Sequence, residues 1–231
     1  MKKIFTFLAV AAMAITAQAQ TWGVTEGFVA EDNKTVSEVA DCPITFSPDG
    51  KWAAFKVDQF GTADEYPTLG HSIQGGNNPK ANGNGYKKGD NTSFPDQGCG
   101  YIFSPAKDGN LDIYVKLAGG KPSFVITDKG TFANWKAIKA DTKKACGEIE
   151  CSANPDVMGI DGDGQCVVSL PVEAGTKYCI VTDGSKATLY GYTFTAGGSS
   201  AIENITVDAN APVEYFNLQG LRVNNPENGL Y

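Results

Sequence analysis

The chain has 231 residues, with 19 basic side chains against 26 acidic ones and a formal net charge of −7. Its only arginine is Arg222, so the planar fork that grips phosphate or carboxylate at two points is missing from the body of the chain. An acidic, arginine-poor surface argues against nucleic acid and anionic membrane as partners, because both demand a broad positive face.

At the N-terminus Lys2 and Lys3 precede an apolar run from Ile4 to Thr16, and Ala17-Gln18-Ala19 supplies the small–x–small pattern of a cleavage site. The run is shorter than the roughly 20 residues that cross a bilayer. Residues 1–19 therefore read as a signal peptide, with the mature chain starting at Gln20, secreted or held at the cell surface and not inserted in a membrane. Loss of the leader removes two lysines and no acid, which moves the net charge from −7 to −9. Six cysteines remain: Cys42, Cys99, Cys146, Cys151, Cys166 and Cys179. An even number in an exported chain predicts at least one disulfide. Cys146–Cys151 and Cys166–Cys179 are conceivable pairs, the second across the turn at Val172–Gly175. A single histidine, His71, rules out the common zinc-ligand patterns.

Residues 20–195 read as one β domain. Ile44–Phe46 and Lys51–Val57 are expected to form a hairpin through Ser47-Pro48-Asp49-Gly50, since Asp-Gly favours a tight turn. Gly70–Gly98 is rich in Gly and Asn and nearly empty of aliphatic residues, which marks a long loop. Asn110–Ala118 alternates, with Leu111, Ile113, Val115 and Leu117 on one face and Asp112, Tyr114 and Lys116 on the other. Lys121–Asp128, Cys166–Val172, Thr176–Thr182 and Ala187–Thr195 continue the series. Period-two alternation with turns about every ten residues predicts an antiparallel β-sandwich or jelly roll. Phe132–Lys144 carries Phe132, Trp135 and Ile138 at three-residue spacing and is the one expected helix. Residues 196–201 have the composition of a linker, and 202–231 read as a small β appendage.

Candidate chemistry is sparse. His71 stands alone in the loop, and no nucleophile-elbow or cysteine-protease signature occurs, so the chain is expected not to be an enzyme. Asp156, Asp161 and Asp163 lie on a Gly-rich stretch that can wrap calcium, although the EF-hand spacing fails. Sandwiches that bind sugar present aromatic faces to apolar C–H surface while polar neighbours take the hydroxyls. Trp135, Tyr86 and Tyr101 lie beside irregular segments and are the expected platform for a neutral polysaccharide, polyanions being poor candidates for so acidic a surface. Trp52 reads as core, and Trp22 as a residue closing one end of the sandwich.

Two segments resemble known families. Val213-Glu214-Tyr215-Phe216-Asn217-Leu218-Gln219-Gly220-Leu221-Arg222-Val223, followed by Pro226, Gly229, Leu230 and Tyr231, resembles the C-terminal sorting segments of Bacteroidetes proteins exported by the type IX machinery. In such segments a further strand and a basic end normally follow the position of Tyr231. The body is similar to β-sandwich modules of secreted Bacteroidetes proteins that look like carbohydrate-binding jelly rolls. The residues that carry this likeness are Ile102–Pro105, Gly109–Leu111, Gly120–Pro122, Gly175–Tyr178 and Gly184–Tyr192, with Lys121 and Lys186 on the matched stretches. The resemblance implies a non-catalytic glycan-binding module. The alternatives are a surface structural or adhesive protein that binds another protein and, behind it, a glycoside hydrolase or lyase.

Overall fold

The computed structural model describes residues 19–86, 91–143, 145–149, 164–197, 215–216 and 222–223. The chain divides into two compact units, 1–198 and 199–231. Among the described residues every regular element is a strand.

The first unit is a sandwich of two antiparallel sheets. One sheet has six strands in the order β1 (Ala19–Gly23), β15 (Thr188–Ala196), β9 (Gly109–Leu117), β13 (Gly164–Val172), β11 (Trp135–Lys139) and β12 (Ala145–Ile149). The other has five, in the order β10 (Ser123–Thr127), β14 (Tyr178–Thr182), β8 (Tyr101–Phe103), β3 (Ile44–Phe46) and β2 (Thr35–Val36). Alternation sets the register of the large sheet. Ile113 of β9 lies opposite Val168 of β13 on one side and Tyr192 of β15 on the other. Ala137 and Trp22 continue the same row at its two ends. Parallel rows run Phe194–Leu111–Leu170 and Leu189–Val115–Cys166. All of these side chains are buried, and cross-strand neighbours of this kind are the unit of sheet stability. Sequestering each Leu, Ile or Val contributes about 1.5–3 kcal/mol. The sheets meet where the Phe103 and Tyr192 rings pack edge to face at 5.1 Å, and the Tyr192 hydroxyl donates to Cys42 O at 2.7 Å.

Strand β15 contains a bulge between Leu189 and Gly191. The extra residue, Tyr190, resets parity, so that Leu189, Tyr192 and Phe194 all reach the inner core. Tyr190 itself turns outward and is buried under Phe60 and Leu69, in a second small cluster. Gly191 permits this, because a Cβ there would stand 2.3 Å from Trp22 O and 2.8 Å from Leu69 Cδ2.

Three sequence expectations fail here. The stretch expected to be helical holds strand β11, in which Trp135 and Ala137 are buried while Lys136 and Ile138 are exposed. That is a period of two, enforced by pairing with β13 over Lys136–Lys139. The hairpin through Asp49-Gly50 does not form, since β3 pairs with β2 and β8. β4 (Lys56–Val57) pairs instead with β5 (His71–Ser72), and Trp52 bridges to Gly75. Cys166 and Cys179 lie in different sheets, and Cys179, like Cys42 and Cys99, is a free buried thiol. The Cys166–Cys179 bridge is thereby excluded. The side chains of Cys146 and Cys151 lie outside the described residues. Alternation also understates β10 and β14, which are buried at every position.

In the Gly/Asn-rich loop, β6 (Lys80–Ala81) and β7 (Asn84–Gly85) form a small hairpin. In the second unit, β16 (Tyr215–Phe216) pairs antiparallel with β17 (Arg222–Val223).

Candidate functional site

The aromatic platform does not exist as a surface. Trp135, Tyr86 and Tyr101 are 2 %, 1 % and 0 % exposed, and a ring enclosed on both faces cannot stack on a sugar. The two tyrosine hydroxyls serve the interior instead, whereas the buried Trp135 indole N–H has no hydrogen-bond partner among the described residues. The Tyr86 hydroxyl donates to Ser93 O at 2.8 Å. The Tyr101 hydroxyl reaches Ile73 O at 3.0 Å and Ala187 O at 3.1 Å and receives the Cys99 thiol at 3.3 Å. Burial pushes its ionisation well above the ordinary tyrosine range. Asp156, Asp161 and Asp163 lie outside the described residues. Among the described residues no group of three His, Cys, Asp or Glu side chains is placed to hold a metal ion. His71 is half-buried on β5 with its ring edge-on to Phe55 at 5.4 Å.

Among the described residues a cavity opens elsewhere, where three backbone segments converge. It has a volume of about 570 Å³ and is lined by Asp49 and Lys51 from the turn after β3, by residues 76–78 with Lys80 and Gln97–Gly98 from the Gly/Asn-rich loop, and by Lys186 from the turn before β15. That volume lies within the usual range for ligand sites. Main-chain hydrogen bonds join the first two segments. Gly76 N donates to Lys51 O at 2.8 Å, Asn77 N to Gly50 O at 3.2 Å, and Gly98 N to Pro48 O at 2.8 Å. Beneath them the buried Ser47 hydroxyl donates to Gly98 O at 2.5 Å and accepts Gly100 N at 2.9 Å. The Asn77 amide donates to Asp49 O at 2.8 Å. The Lys186 ammonium donates to Gly76 O at 3.1 Å, which ties in the third segment.

The closeness of these segments needs glycine in two places. A Cβ on Gly98, whose φ is +90°, would lie 2.1 Å from Asn78 O, and one on Gly75 would lie 2.4 Å from Gly50 O. Two non-glycine residues that line the cavity also adopt left-handed backbone, Asp49 at φ 55° and Lys51 at φ 47°. Such conformations cost on the order of 1–3 kcal/mol each and gather at functional sites. Trp52 follows Lys51 directly. It is half-buried, its ring 5.1 Å from Phe46 and 5.8 Å from Tyr101, and its indole N–H donates to Asp32 Oδ1 at 3.1 Å.

A smaller groove of about 290 Å³ runs between residues 127–134 and 171–178. Phe132, Val172 and Tyr178 supply its apolar side, and an ion pair joins Lys129 to Glu173 at 2.9 Å.

Sequence reasoning reached the main cavity only at its edges. Lys186 lies on a stretch that resembles sugar-binding modules, the Gly/Asn-rich loop stands out by its composition, and Asp49-Gly50 reads as a turn. What brings them together is pairing between segments about 25 to 110 residues apart, which no local pattern encodes. The useful signal was the density of side-chain amides in the loop.

Searches against protein-family models, curated proteins and solved structures find no match to the chain.

Proposed function

We propose that this chain is a non-catalytic, extracytoplasmic β-sandwich that binds a glycan in the Asp49–Lys186 cavity. One observation carries the reading. The cavity is walled by amide, carboxylate and ammonium side chains, with Asn77, Asn78 and Gln97 offering both donors and acceptors. A hydroxyl-rich ligand matches such a wall, because each sugar hydroxyl both donates and accepts. The frame beneath is already tied by main-chain hydrogen bonds, so little ordering opposes binding. Trp52, which follows Lys51 directly and is half-buried, is the aromatic side chain we propose to meet a sugar ring there. The leader, the sandwich and the resemblance to sugar-binding modules agree with this reading, and export of the mature chain from Gln20 belongs to it.

The test is a glycan array probed with the mature protein, with Asn77→Ala and Trp52→Ala alongside. Retention of a defined glycan class, reduced at least several-fold in Asn77→Ala, supports the proposal. Retention unchanged in both variants would remove the cavity from the binding surface. No retention of any glycan would favour the alternative in which the partner is another protein.

A further inference from the structure

The net charge of −7 conceals a local reversal. The main cavity is lined by three lysines, Lys51, Lys80 and Lys186, and by one carboxylate, Asp49. Among the described residues neither Lys51 nor Lys80 has a hydrogen bond or ion pair through its ammonium group, while Lys186 is held on the Gly76 carbonyl. Carboxylates on the flanking segments are turned to other donors. Asp32 accepts from Gly50 N and the Trp52 indole, and Asp96 accepts from Asn82 N and the Gln97 amide. A ligand in the cavity therefore meets two uncommitted cations and a third fixed at the wall. The left-handed backbone of Lys51 places this residue at the cavity wall, where its carbonyl accepts Gly76 N at 2.8 Å.

We infer that the cavity reads an anionic substituent, a carboxylate or a sulfate, on the bound sugar. This rests on the glycan-binding reading and sharpens it. The lysines act over the dimensions of the cavity, whereas acids elsewhere on the surface are screened beyond about 8 Å at physiological ionic strength. Lysine suits the task, as a point charge that can follow an anion of either geometry. Asp49 accepts from a neighbouring hydroxyl, so a sugar that carries both groups is preferred over a bare anion. The ligand is thus a short acidic oligosaccharide, because a long polyanion would run onto the acidic remainder of the surface.

Calorimetry on the full mature protein tests this with four probes: trigalacturonate, neutral galactotriose, a sulfated galactose oligosaccharide and inorganic sulfate. The expected result is that one acidic oligosaccharide binds at least tenfold more tightly than galactotriose. That preference should fall about tenfold in Lys80→Met, equivalent to about 1.4 kcal/mol, and several-fold between 50 and 500 mM NaCl. Lys80 is exposed on a short hairpin, so this variant leaves the fold intact, and circular dichroism checks that. Which of the two acidic probes wins identifies the substituent. Equal or tighter binding of galactotriose overturns the inference and leaves glycan binding standing. Inorganic sulfate binding as tightly as either oligosaccharide overturns it as well, by showing a site for any anion. If none of the oligosaccharides and no glycan on the array binds, both readings fall.

Discussion

The Tyr101 hydroxyl sits in a fully enclosed position within reach of two carbonyls and a thiol, and it holds the segment at Ile73 and the turn at Ala187 against β8. Replacing it with phenylalanine removes the hydroxyl donor from Ala187 O and the acceptor from the Cys99 thiol at unchanged volume, while Ile73 O keeps its bond from Leu189 N, so Tyr101→Phe should cost about 1–3 kcal/mol in a denaturant titration. Lys51 offers the opposite case. Glycine adopts a φ near 47° without the steric penalty of a Cβ, so Lys51→Gly should stabilise the fold by up to about 1 kcal/mol while weakening binding. A third prediction concerns pH. Burial raises the Cys42 thiol from its ordinary 9.0 to about 12. A group that keeps its proton longer in the folded state than in the unfolded one contributes stability that is complete below pH 9 and lost as pH climbs through 12. Tyr192, also raised chiefly by burial, acts in the same direction. The denaturant midpoint should therefore fall steadily above pH 9, and Cys42→Ser, whose hydroxyl does not titrate there, should flatten the early part of that fall. The aromatic residues also show why site residues were poorly legible in the sequence. Tyr86, Tyr101 and Trp135 flank irregular segments, but irregular backbone covers a core as readily as it exposes one, and only tertiary packing distinguishes the two.

Strands β9 and β13 were legible because their inward and outward residues alternate without interruption over nine positions each. Strand β11 was not, since Phe132, Trp135 and Ile138 also fit a helical spacing and its register is set by β13, a distant segment. In β15 the bulge hides a change of face inside what looks like simple alternation. That element carries its own prediction. Gly191→Ala places a methyl group against Trp22 O, Leu69 and Gly23 Cα, all within 3 Å. Overpacking of this kind typically costs about 1–3 kcal/mol, and thermal unfolding should show it as a lower Tm with an unchanged β spectrum. The cavity frame answers to the same logic, since Gly98→Ala collides with the main chain of residues 78–79 and should lose binding through distortion of the loop.

For the molecule as a whole, residues 1–198 form a compact unit with a core of its own. A chain ended at Gly198 should therefore keep its β-type circular dichroism and melt within a few degrees of the full-length protein. A large drop would place part of the core's support in residues 199–231. The all-β class was readable from short alternating segments and frequent turns. The path of the chain between sheets was not, because β3 finds its partners in β2 and β8 rather than in the segment that follows it. The cavity arises from that path, through the meeting of the turn after β3, the Gly/Asn-rich loop and the turn before β15. The most direct measurement of whether it is the binding site is an NMR titration of the isotopically labelled mature protein with the best oligosaccharide from the array, following every backbone amide. Shifts concentrated at Asp49–Trp52, Gly76–Lys80, Gln97–Gly98 and Lys186 are the predicted result. Shifts centred instead on the groove between residues 127–134 and 171–178, with the cavity amides unmoved, would contradict it.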